Sequence, residues 1–89
     1  MERLESIRQE IDKTDKAIVD LIAQRLELAR KAGRLKKAVG VKIIDRKREE
    51  EVLAKRAEIG GELGLSTEFV KDLFKKLIEE ARKAQGSGQ

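Results

Sequence analysis

The chain has 89 residues, with 21 Lys and Arg against 17 Asp and Glu, a net charge of +4, and no Pro, Cys, His, Trp or Tyr. Without Cys or His there are no thiol nucleophiles, imidazole bases, disulfides or haem ligands, and no metal site built on those side chains. Any catalysis falls to Lys, Arg, Asp, Glu, Gln, hydroxyls or backbone groups, within one small domain whose core is thin for its surface.

The charged fraction is 43% and the hydrophobic fraction 39%, so spacing decides between folding and disorder. From Leu4 a three-four alternation runs through Ile7, Ile11, Thr14, Ile18, Leu21, Arg25, Leu28, Ala32 and Leu35. Eight of these ten positions are apolar and the residues between them are mostly charged, which predicts a long amphipathic helix with a solvated face. Gly33 weakens it by about 1 kcal/mol relative to Ala, and the end is expected between Gly33 and Lys37. The segment 38–44, AVGVKII, has no helical period and reads as a loop. Asp45 then reads as an N-cap for a second helix carrying Val52, Leu53 and Ala57, which Gly60 and Gly61 are expected to end. Ser66 reads as the cap of a third helix, with Leu65 and Val70 placed to form a hydrophobic staple. Its buried stripe is Val70, Leu73, Phe74, Leu77, Ile78 and Ala81. Residues 1–85 form one helical domain, and 86–89 are expected to be a flexible tail.

No run approaches the roughly 18 apolar residues of a membrane span, and MERLESIRQE contains no apolar signal core, so a cytoplasmic, membrane-free protein is expected. A first helix of some 33 residues would be about 50 Å long, far more than a compact globule of this size can cover. Its apolar seam runs to both ends, and a second copy of the chain is the economical cover.

Arg25 stands in that seam, with Leu21, Ile22, Leu28 and Ala29 one turn away. A guanidinium there can snorkel to solvent, pair with a carboxylate such as that of Glu27, or belong to an internal anion site. Arg8 and Lys36 flank the same seam, although either alone reads as a solvated cation. Arg8 and Arg25 are 17 residues apart, about 26 Å along a helix, so one chain cannot bring both to a small ligand. Two antiparallel first helices crossing near Lys16 and Ala17 would set Arg8 of one chain opposite Arg25 of the other, giving two equivalent shared sites.

These charged residues at these separations resemble the all-α chorismate mutases. The likeness covers nearly the whole chain: IRQEIDKTDKAIVDLIAQRLELARKAGRLK, IIDRKREEEVL and LFKKLIEEARKAQ. The resemblance implies an all-α fold of one long and two shorter helices per chain, intertwined in an antiparallel homodimer. It also implies the cofactor-free rearrangement of chorismate to prephenate in phenylalanine and tyrosine biosynthesis. By the same resemblance Arg8 of one subunit and Arg25 of the other grip the substrate carboxylates, and Arg48 is a further carboxylate-facing arginine. Lys36 and Gln85 face the ether oxygen as the catalytic pair, while Asp45 and Glu49 lie near the ring hydroxyl. The pattern departs at Ala81, where the family commonly has a hydroxyl.

Read without the resemblance, Asp45 is a helix cap, Arg48 and Glu49 are first-turn charges, and Gln85 is a surface residue near a fraying end. An isochorismate–pyruvate lyase on a similar scaffold is the nearest alternative function. A nucleic-acid-binding helical dimer is a second, weakened by interspersed acidic residues and by having only Phe69 and Phe74 as aromatics. A purely structural coiled coil is a third, and Arg25 in the seam counts against it.

Overall fold

A computed structural model of the chain describes residues 3–86. It contains three α-helices in chain order, α1 (Leu4–Val39), α2 (Arg46–Glu62) and α3 (Thr67–Gly86), and no strand among the described residues. The all-α architecture of one long and two shorter helices is the one the hydrophobic periodicity predicts. Of the expected tail, Gly86 closes α3, and 87–89 lie outside the described residues.

Neither the expected end of α1 between Gly33 and Lys37 nor that of α2 at Gly60 and Gly61 is where the helix stops. Helix α1 passes through Gly33 and stops two residues beyond the expected limit. There Gly40 takes the left-handed conformation at φ 74°, and Val41 N–H reaches back 2.8 Å to the Lys36 carbonyl. This is a Schellman ending, and it needs glycine at 40 rather than at 33. Helix α2 likewise runs through Gly60 and Gly61 to Glu62, and ends where Gly64 (φ 79°) lets Leu65 N–H bond the Gly60 carbonyl at 2.8 Å. Gly33 and Gly60 instead mark where helices cross closely. A Cβ on Gly33 would stand 2.9–3.0 Å from Cγ, Cα and Cβ of Gln85, and one on Gly60 would stand 2.6 Å from Cγ2 of Val70.

The expected starts hold. Asp45 accepts a hydrogen bond from Arg48 N–H (3.0 Å), and Ser66 Oγ accepts from Phe69 N–H (3.2 Å), each satisfying a donor that a helix leaves open at its first turn. The loop before Asp45 is shorter than expected, because Ala38 and Val39 complete the last turn of α1.

Helix α3 packs against both α1 and α2 and so holds the chain together. Val70 is buried, Phe74, Leu77, Ile78 and Ala81 are half-buried, and Leu73 stays at the rim, 40% exposed. The buried hydrophobic set is small: Ala29, Val52, Ala57 and Val70. The molecule measures 58 × 27 × 14 Å, with a radius of gyration of 16.4 Å. A compact chain of this length would have about 12 Å. The excess is the free half of α1, along which Leu4, Ile11, Ile18 and Leu21 are all exposed, Leu21 to 61%.

Candidate functional site

The three helices enclose a cleft of about 420 Å³. Its lining includes Arg25, Ala29, Ala32 and Lys36 from α1, Glu49, Val52 and Arg56 from α2, and Ala81, Arg82 and Gln85 from α3. Ile43, Asp45 and Arg48 close the end nearest the α1–α2 loop. Of the charged side chains lining it, Arg25, Lys36, Arg48, Arg56 and Arg82 are basic and Asp45 and Glu49 acidic, an excess of three positive charges on one concave surface. Such a surface concentrates a small polyanion.

Lys36 is half-buried, and its position follows from the way α1 ends. The same Schellman turn that uses its carbonyl folds the chain back, so that Nζ donates to the Ile43 carbonyl at 3.0 Å. Across the cleft Nζ also donates to Oε1 of Gln85 at 3.4 Å, a contact possible because Gly33 lets α3 come so close. An ammonium has three N–H donors, so one remains for a ligand. Arg25 is half-buried, with its guanidinium carbon 5.8 Å from the centre of the Phe74 ring, and Arg56 approaches the same ring at 5.9 Å. The ring's negative face attracts both cations, while burial, with repulsion from Arg56 and Arg48, pushes the Arg25 pKa down. Among the described residues no carboxylate pairs with Arg25, Arg48 or Arg56. Three guanidiniums thus line one cleft, none of them paired to a carboxylate among the described residues.

On α2, Glu49 is held by Arg82 of α3, whose Nε donates to Oε2 at 2.9 Å and whose Nη2 donates to Oε1. The Glu49 carboxylate holds the Arg82 guanidinium pKa above its ordinary value. Asp45 spends one carboxylate oxygen on the cap of α2, at the edge of the cleft.

Six of the seven residues singled out in the sequence therefore line one cleft: Arg25, Lys36, Asp45, Arg48, Glu49 and Gln85. Arg8 does not. It is exposed on the overhanging part of α1, as the length of that helix requires. Two lining residues were missed. Arg56 carried a usable signal, since it follows Val52 by four and so shares its face. Arg82 carried none, because its partner is 33 residues away. Among the described residues no group of acidic side chains could hold a metal ion, and no helix is long and apolar enough to cross a membrane.

Fold and cleft together define an all-helical protein with a basic cleft between its three helices. Comparison with known proteins makes this specific: the chorismate mutase type II profile matches residues 7–86, and the chain belongs to that family. It is 31% identical over 85 residues to the chorismate mutase of Methanocaldococcus jannaschii, covering 96% of this chain and 86% of that protein. It is 35% identical over 78 residues to the T-protein of Enterobacter agglomerans, covering 88% of this chain. The chain spans about a fifth (21% and 22%) of the length of the two T-proteins it matches. A solved conserved hypothetical protein from Pyrococcus furiosus superposes with a TM-score of 0.72 at 39% identity, covering 92% of this chain and 93% of that one.

Proposed function

We propose that the chain is a chorismate mutase, converting chorismate to prephenate by an intramolecular rearrangement in aromatic amino acid biosynthesis. The observation that carries this reading is the cleft's excess of three positive charges, with Arg25, Arg48 and Arg56 lacking carboxylate partners among the described residues, in a chain of this family. A dianion entering the cleft satisfies these guanidiniums and still leaves a positive charge for the negative charge that develops during reaction.

The reaction breaks one carbon–oxygen bond as it forms one carbon–carbon bond and needs no acid, base or nucleophile. Arginines gripping two carboxylates hold the substrate in its compact reactive shape, so less entropy remains to be lost at the transition state. Arg25 and Arg48 take this part, joined by Arg8 of the partner subunit. Lys36 and Gln85 act on the ether oxygen. There the lysine N–H left over from Ile43 and Gln85 meets growing negative charge, an interaction stronger in the transition state than in the ground state. Glu49 and Asp45 accept from the ring hydroxyl. The cleft residues of one chain run from Arg25 to Gln85.

The working unit is an antiparallel homodimer. Its support is the apolar seam from Leu4 to Leu21, exposed in the single chain, and the distance of Arg8 from the cleft it is meant to serve. Crossing near Lys16 and Ala17 covers the seam and delivers Arg8 in one step. A soluble biosynthetic dimer of this kind works in the cytoplasm. Nucleic acid is a poor fit, because exposed basic residues alternate with acids in pairs such as Lys16–Asp20, Arg30–Glu27, Lys55–Glu58 and Lys83–Glu80. Following chorismate consumption by absorbance and identifying the product tests the reading. Prephenate is expected; inertness toward chorismate, with pyruvate released from isochorismate, would replace the mutase by a lyase.

A further inference from the structure

The Glu49–Arg82 pair stands apart from the four surface pairs just named, which join neighbours on single helices. It links α2 to α3 and lies on the wall of the cleft. The Glu49 side chain keeps 19% of its exposure and that of Arg82 36%, so the pair is partly desolvated. Its fork-to-fork geometry fixes the carboxylate in plane as well as in position. As a staple between two helices it would be a poor choice, since an apolar pair of similar volume would serve at least as well without desolvating two charges. As a device for the cleft it makes physical sense. A carboxylate facing a dianion repels it, and one paired with a guanidinium repels it far less. A carboxylate has about four lone-pair sites, and Arg82 occupies two, leaving acceptors for a ligand. Ala81, the residue before it, offers no polar side-chain group, so this stretch of α3 acts on the cleft through Arg82 and Gln85.

We infer that Arg82 is a positioning residue: it holds Glu49 as an oriented acceptor for a hydroxyl of the dianionic substrate and offsets the repulsion Glu49 would otherwise exert. The inference rests on the chorismate reading of the cleft. It adds a selectivity, because carboxylate oxygens held in place by Arg82 favour a ligand presenting a hydroxyl there over one presenting a carbonyl or a further carboxylate.

The test is steady-state kinetics with chorismate on the wild-type chain, Arg82→Met, Glu49→Gln and the double variant, with thermal unfolding of each. Arg82→Met should raise KM about tenfold with kcat within about threefold, a loss equal to about 1.4 kcal/mol of binding. Adding Glu49→Gln should bring KM back down, because the orphaned charge goes and the amide carbonyl can still accept. A helix staple would show the opposite pattern, a fall in melting temperature with KM unmoved or with no recovery in the double variant, and either result overturns the inference. Should Arg82→Met not fold, Arg82→Lys, alone and with Glu49→Gln, makes the same comparison, since a single ammonium cannot hold both oxygens. Wild-type turnover with an unmoved Arg82 variant sinks this inference alone, whereas a wild-type chain inert to chorismate sinks the underlying reading and this inference with it.

Discussion

Replacing Gly33 by Ala tests how the cleft is built, because helix propensity and packing pull in opposite directions there. In an exposed helix interior the change would stabilise by about 0.8–1 kcal/mol. Here the new Cβ would sit 3.0 Å from the Cα of Gln85 and 2.9 Å from its Cγ. Carbon atoms prefer about 3.5–4.0 Å, and since a backbone atom is involved, turning the Gln85 side chain cannot relieve the contact, so α3 must retreat by roughly 0.5 Å or more. Overpacking of this kind costs about 1–3 kcal/mol, giving a net loss of about 0–2 kcal/mol. The catalytic consequence is sharper. Lys36 Nζ already reaches Gln85 Oε1 at 3.4 Å, and a retreat of that size parts them. Chemical denaturation should show a small loss of stability, and chorismate turnover a drop in kcat of about tenfold. A variant more stable by about 1 kcal/mol with unchanged kcat would refute the claim that Gly33 sets the Lys36–Gln85 geometry.

Lys36→Ala should still fold and dimerise but lose about 10²–10³ in kcat, the range for one preorganised charge at a developing anion; circular dichroism with kinetics checks this, and near-normal turnover would remove Lys36 from the mechanism. Asp45→Ala removes the side chain that accepts from Arg48 N–H and should cost about 1 kcal/mol in urea unfolding. Because the cleft carries three excess positive charges, raising salt to about 0.5 M should increase KM for chorismate several-fold and leave kcat nearly constant. A flat KM would mean the substrate is held by contacts other than charge.

The helical periods were legible because apolar positions recur at three and four residues, and the two side-chain caps because Asp45 and Ser66 stand directly before such runs. The roles of the glycines were not. A glycine reads alike in sequence whether it ends a helix, as Gly40 and Gly64 do, or lets another helix approach, as Gly33 and Gly60 do, and only the crossing partners Gln85 and Val70 tell them apart. Lys36, Gln85 and the Asp45–Glu49 group reached the candidate site through resemblance, since spacing alone made them surface residues or caps. Arg25 announced itself, being a cation in an apolar seam. Arg82 could not, because an ion pair across 33 residues leaves no local pattern.

Mixing two inactive variants addresses the shared site most directly. Arg8→Ala and Arg25→Ala chains, each poorly active alone, are combined and allowed to exchange subunits. Every mixed dimer then holds one cleft with both arginines and one with neither. With random exchange, activity should rise to about a quarter of the wild-type value. Activity staying at the level of the parents, with exchange confirmed by mass spectrometry of the mixed species, would contradict a cleft completed by the neighbouring chain.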